Sequence, residues 1–131
     1  MADHPNVELL RKGYAAFGQG DLATVNDLFS DDIVSHIPGT NPLAGDYPGK
    51  EQTFGMLGKL LELTGGTFSQ DVHGILANDE HGAVMVNASA QRPDGRSWSG
   101  RQIHIWHMAG GKATEFWVLN EDQAAADAFF S

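Results

Sequence analysis

A single change of period divides this chain. Up to about residue 63 the apolar residues recur every three or four positions; from Thr67 onward they alternate, in four long stretches separated by Gly-containing turns. The first half therefore predicts amphipathic helices and the second half strands. Val7, Leu10, Tyr14 and Phe17 predict a helix over Pro5–Gly18. Asp21 suits an N-cap for a second helix carrying Leu22, Val25, Leu28 and Phe29, which "SDD" ends before a strand over Ile33–Pro38. "GTNPLAGDYPG", Gly39 to Gly49, holds three Gly and two Pro and predicts a loop. A third helix is expected from Lys50 to Leu63, with Phe54, Leu57 and Leu61 on one side and "GG" at its end. Strands follow over Thr67–Ala77, His81–Gln91, Ser97–Met108 and Ala113–Leu119, joined by "NDEHG", "RPDG" and "AGGK". A short helix, Glu121–Phe129, closes the chain.

Helices first and then a meander of long strands define an α+β domain, helices packed on one face of a curved sheet. At 131 residues one domain spanning 1–131 is expected, long enough to bury roughly two-thirds of its unfolded surface without a metal or disulfide. Seventeen acidic against eight basic residues give a net charge of −9, which argues against nucleic acid or an anionic membrane as partner. There is no cysteine, hence no disulfide and no thiolate chemistry. "MADHPNVELL" lacks the basic-then-apolar pattern of a secretory leader, and no apolar run approaches the ~20 residues that cross a bilayer. A soluble, cytoplasmic protein is the expectation.

Two histidines sit inside apolar strands: His36 in "IVSHIPG" and His104 in "QIHIWHM". Alternation puts Trp98, Gln102, His104, Trp106 and Met108 on one face of their strand and Arg101, Ile103, Ile105 and His107 on the other. Whether His36 and His104 share a pocket is the functional question. Desolvation would keep such rings neutral and able to accept a proton near pH 7. A buried histidine bonded to a backbone partner is the plainer alternative for each. His104 and His107, three apart on a strand, point to opposite faces and cannot chelate one ion; no metal-ligand spacing, phosphate-binding Gly loop or nucleophile elbow is present. For Glu115 a solvated edge or an ion pair with Arg101 is expected.

"YAAFGQGDLATVNDLFSDDIVSHIPG", "NPLAGDYPGKE" and "RQIHIWHMAGGKATEFWVLNEDQAAADAFF" together resemble SnoaL-like proteins of the nuclear-transport-factor-2-like superfamily. The resemblance implies a cone: a strongly curved mixed or antiparallel sheet wrapped around the first helix, with an apolar pocket at the open end. It also implies a homodimer joined through the outer sheet face. Similarity to ketosteroid isomerase, a member, places that enzyme's pocket acid near His104, its catalytic base near His36 and its catalytic tyrosine beside Tyr14. Neither matching strand position is a carboxylate. The aspartate pair of limonene-1,2-epoxide hydrolase is lost too, since Val118 stands where one would be.

His36, His104 and Tyr14 are thus the candidate catalytic groups, and Trp106, Trp117, Gln102 and Phe54 the candidate substrate contacts. Trp106 and Trp117, on neighbouring strands, are expected to form an aromatic wall or to pack in the core or interface. The Asn41–Tyr47 loop is a candidate lid. Three functions stand open. One is an isomerase, dehydratase or cyclase that uses His-based acid–base chemistry on a hydrophobic carbonyl compound, without a cofactor or metal. The second is a non-catalytic binding protein for a small hydrophobic ligand. The third is a dimer whose pocket its own side chains fill.

Overall fold

The computed structural model describes residues 3–131; Met1 and Ala2, at the head of the segment read for a leader, lie outside them. Ten elements follow in order: α1 (Pro5–Gly18), α2 (Leu22–Leu28), β1 (Phe29–Ile37), β2 (Gly45–Pro48), α3 (Lys50–Leu63), β3 (Ser69–Ala77), β4 (His81–Gln91), β5 (Ser97–Ala109), β6 (Lys112–Asn120) and α4 (Gln123–Phe130). The strands form one six-stranded sheet in the order β2-β1-β6-β5-β4-β3. Every neighbouring pair is antiparallel except β1 and β6, so the sheet is mixed.

Local chemistry accounts for the element ends. Pro5 opens α1, and the His4 ring accepts the Asn6 N–H. The Asp21 carboxylate accepts the Thr24 N–H at the start of α2, and Asp122 does the same for Ala125 at α4. Gly110 and Gly111, with φ of 56° and 77°, make the tight β5–β6 turn that residues with a Cβ adopt only at a cost.

The alternation read from sequence becomes two sheet faces. Val84, Val86, Ala88 and Ala90 of β4 and Trp98, Gln102, His104, Trp106 and Met108 of β5 are buried beneath the helices. Leu10 of α1 and Ile33 of β1 are fully buried in the same core; each such side chain contributes about 1.5–3 kcal/mol through burial. Gly13 lets α1 approach α2 closely, because a Cβ there would lie 2.7 Å from Leu28 Cδ2. The opposite face leaves Leu76, Ile103 and Leu119 exposed. Among the described residues no helix is long and apolar enough to cross a membrane.

Two expectations need correction. The segment read as a loop contains β2, which pairs with β1 from Val34↔Pro48 to Ile37↔Gly45; its Gly and Pro residues hid it, as an edge strand tolerates a terminal proline. And α2 stops at Leu28, so Phe29 and "SDD" belong to β1 rather than to the helix.

Candidate active site

The helices and the buried sheet face surround a partly open cavity of about 120 Å³. A cavity of ~150 Å³ admits benzene, so the interior accommodates roughly one ring. Phe17 and Tyr14 of α1, Phe29 of β1, Met56 of α3, Phe116 of β6 and Phe130 of α4 form much of the wall. Among the described residues no Lys, Arg, Asp or Glu lines it. The polar groups are few: Tyr14, His104, Gln102, Asn120, Asn41 and Gln70, with the indole N–H of Trp106.

Five of these are joined. Tyr14 Oη lies 2.5 Å from His104 Nδ1. His104 Nε2 lies 2.9 Å from Gln102 Oε1. Trp106 Nε1–H donates to Tyr14 Oη at 3.1 Å. Gln102 Nε2 donates to Asn120 Oδ1 at 2.8 Å. These contacts fix the protons. Gln102 Oε1 can only accept, so His104 carries its proton on Nε2; Nδ1 is then an acceptor, and Tyr14 must donate to it. The rings of Tyr14 and His104 stack at 5.7 Å, and Trp106 stacks on Phe116 at 4.5 Å.

Burial sets the charge state. Desolvation pushes His104 down to about 4, since no carboxylate stands by to stabilise imidazolium. Desolvation likewise drives the Tyr14 phenol above its ordinary range, opposed only by the Trp106 N–H. Both groups are neutral at pH 7, and a proton can pass between them and a ligand without a standing charge in the cavity.

Tyr14, His104, Gln102 and Trp106 meet at one wall, but the other three candidates lie elsewhere. His36 is in register with Trp117, and Trp117 with Ile105, so both His36 and Trp117 occupy the outer sheet face. There the His36 ring stacks on Trp117 at 5.0 Å and its two nitrogens contact Asp46 at 2.7 Å and Glu115 at 2.6 Å. Burial opposes the charge on His36, yet the bonds to Asp46 and Glu115 outweigh it and raise its pKa. The expectation of one pocket containing His36 and His104 is therefore replaced by two separate settings. Trp117 and Trp106 form no common wall, because Trp106 pairs with Phe116 and antiparallel pairing keeps equal parity on one face. Phe54 packs on Phe29 at 5.5 Å, behind the wall rather than in it. Glu115 binds His36, while Arg101 pairs with Glu121.

Asn120 and Phe116 were missed, while Asn41, expected as the first residue of a lid, stands in the cavity wall. Phe116, Val118 and Asn120 alternate along β6 in "FWVLN", but the two odd residues between them, Trp117 and Leu119, are equally apolar, so the pattern alone did not choose the face. Among the described residues no group of three His, Asp or Glu is placed to hold a metal.

Comparison with known proteins agrees with this fold. Residues 10–116 match the model of the SnoaL-like domain. The uncharacterized protein Rv0034 of Mycobacterium tuberculosis is 28% identical over 131 residues, which span all of both chains. Bal32a, from a soil-derived mobile gene cassette, superposes with a TM-score of 0.92 at 30% identity, covering 96% of each chain. IdmH of Streptomyces antibioticus, provisionally designated a polyketide cyclase, shares the fold with a TM-score of 0.77 at 21% identity over 96% of this chain and 98% of its own. With the curved mixed sheet, the helix-covered face and the match over residues 10–116, the chain belongs to the SnoaL-like domain family.

Proposed function

We propose that Tyr14 and His104 are the acid–base couple of a cofactor-independent isomerase, dehydratase or cyclase acting on an uncharged, ring-bearing carbonyl compound. The observation that carries this reading is the 2.5 Å contact between Tyr14 Oη and His104 Nδ1 inside an otherwise apolar cavity. A ligand carbonyl that takes the place of His104 as acceptor of the Tyr14 O–H frees Nδ1. The neutral ring then accepts a proton from the carbon α to that carbonyl, and the electrons of the broken C–H bond move into the enolate. Tyr14 donates to the enolate oxygen, reinforced by the Trp106 N–H behind it. His104 returns the proton to carbon or to a leaving oxygen. A wall without charged side chains favours a neutral ligand over an acid or a phosphate.

A second reading is a binding protein for the same class of ligand. It is favoured by the depression of the His104 pKa to about 4, which makes a lasting imidazolium costly. Deuterium exchange separates the two. Uncharged cyclic and aromatic ketones are incubated with the protein in D2O and followed by NMR. The enzyme reading expects α-deuterium incorporation, lost in His104→Gln and reduced in Tyr14→Phe. Saturable binding with no exchange for any ketone supports the binding reading instead.

The same proposal includes a homodimer through the outer sheet face, supported by the exposed apolar side chains of Leu76 on β3, Ile103 on β5 and Leu119 on β6. A cytoplasmic site of action fits a chain that contains no cysteine and depends on no oxidising compartment.

A further inference from the structure

His104 does not stand at the end of its hydrogen bonds. Beyond Gln102 and Asn120, Asn120 Nδ2 donates to Gln123 Oε1 at 3.0 Å, and Gln123 Nε2 donates to Asp127 Oδ1 at 3.1 Å. Every link runs the same way, from the His104 Nε2–H outward, and the run ends on a carboxylate, which can only accept. An amide in such a run cannot turn over without setting donor against donor at one end and acceptor against acceptor at the other.

The same carboxylate holds part of the cavity wall. Asp127 Oδ1 accepts the Thr40 N–H at 3.0 Å and the Asn41 Nδ2–H at 2.8 Å, and Oδ2 accepts the Thr40 hydroxyl at 3.3 Å. Asn41 Oδ1 in turn accepts the Leu43 N–H at 2.9 Å. Pro38, Asn41 and Leu43 all line the cavity: Asp127 holds Asn41, Asn41 holds Leu43, and Gln123 Nε2 donates to the Pro38 carbonyl oxygen at 3.4 Å. Gly39 (φ 105°) makes room for this: a Cβ there would collide with Asp127 Oδ1 and Gln123 Nε2.

We propose that Asp127 is a positioning residue that couples the wall segment Pro38–Leu43 to His104, its carboxylate both fastening the segment and orienting Gln123, Asn120 and Gln102 so that the His104 proton stays on Nε2 and Nδ1 stays free to act as base. The role assigned to Nδ1 rests on the acid–base reading of the Tyr14–His104 pair. The coupling itself does not, because its two readouts require no turnover. A ligand that displaces this wall segment from Asp127 also releases the end of the run that fixes the tautomer, so movement of the wall and the state of the base are linked.

The test combines ring-nitrogen NMR of His104 with amide hydrogen exchange, on wild type, Asp127→Asn, Asn120→Leu and Gln123→Met. In wild type His104 is expected as the Nε2–H tautomer alone between about pH 5.5 and 8. Asn120→Leu frees the Gln102 amide to turn and offer its N–H to the ring, and an Nδ1–H population appears. Asp127→Asn speeds exchange of the Thr40 amide roughly tenfold, the scale of one lost bond to a charged acceptor, and shifts the distant His104 nitrogens. Gln123→Met reproduces the His104 shift if Asn120→Leu does not fold. A wild-type ring protonated on Nδ1, or mixed, overturns the proposal whatever the variants do. Folded variants that leave the His104 nitrogens unmoved also overturn it, even if α-deuteration of ketones by the wild type upholds the acid–base function.

Discussion

His36 and His104 stand on opposite faces of one sheet, a single residue apart in register: His36 pairs with Trp117, Trp117 with Ile105, and Ile105 is the neighbour of His104. That one step separates an imidazole between two carboxylates from one buried in the wall of an apolar cavity. The two rings are therefore expected to titrate in opposite directions from the ordinary value, and their effects on stability have opposite signs.

For His104 the folded pKa, about 4, lies below the unfolded value near ~6.5. Between these limits the unfolded chain binds the proton that the folded chain refuses, so stability falls as pH drops from ~6.5 to about 4 and this contribution is complete below that. The expected loss is on the order of 3 kcal/mol. Urea unfolding of wild type and His104→Gln across this window checks it, since the variant lacks this part of the acid sensitivity.

For His36 the folded pKa is raised by Asp46 and Glu115. Its stabilising contribution is fully present below ~6.5 and is lost as pH rises through the folded value. The stability difference between wild type and His36→Gln is expected to be largest in mild acid and to shrink with rising pH. Thermal unfolding from pH 5.5 to 8.5 measures it; a difference that grows with pH would contradict the assigned clamp.

Tyr14→Phe removes both the donor to His104 Nδ1 and the acceptor of the Trp106 N–H. Two buried polar groups lose their partner, a cost of about 1–3 kcal/mol each if no water enters. The midpoint of denaturant unfolding should fall accordingly, with little change in slope.

Trp106→Leu and Trp117→Leu separate the two faces. Acetophenone, an uncharged aromatic ketone, should bind several-fold more weakly to Trp106→Leu, which loses part of the cavity wall. Trp117→Leu should leave its affinity unchanged. Equal weakening by both substitutions would mean that the ligand sits somewhere other than this cavity.

Much of this was legible in the residues because strand alternation carries a physical sign. In β5 the even positions from Gln102 to Met108 are buried as the pattern requires, and His104 emerges correctly as the inward ring. Tyr14 could be placed on the inward stripe of α1 by its spacing from Leu10 and Phe17. His36 could not be placed. Both of its immediate neighbours, Ser35 and Ile37, are compatible with either face: the fully buried Ser35 bonds Thr53 at 2.8 Å, a partner visible only in three dimensions. A small polar residue inside and an imidazole between two carboxylates outside inverted the apparent polarity of β1. The β1–β6 pairing that settles the matter joins residues about eighty apart, which no local pattern records.

The most direct measurement is the titration of the histidine rings by NMR in wild type and in His36→Gln. A shielded neutral dyad predicts His104 midpoint near 4, His36 midpoint above ~6.5, and a His104 curve that His36→Gln leaves in place. A His104 midpoint near ~6.5, or one that moves when His36 is replaced, would contradict a dry Tyr14–His104 pair on its own face of the sheet.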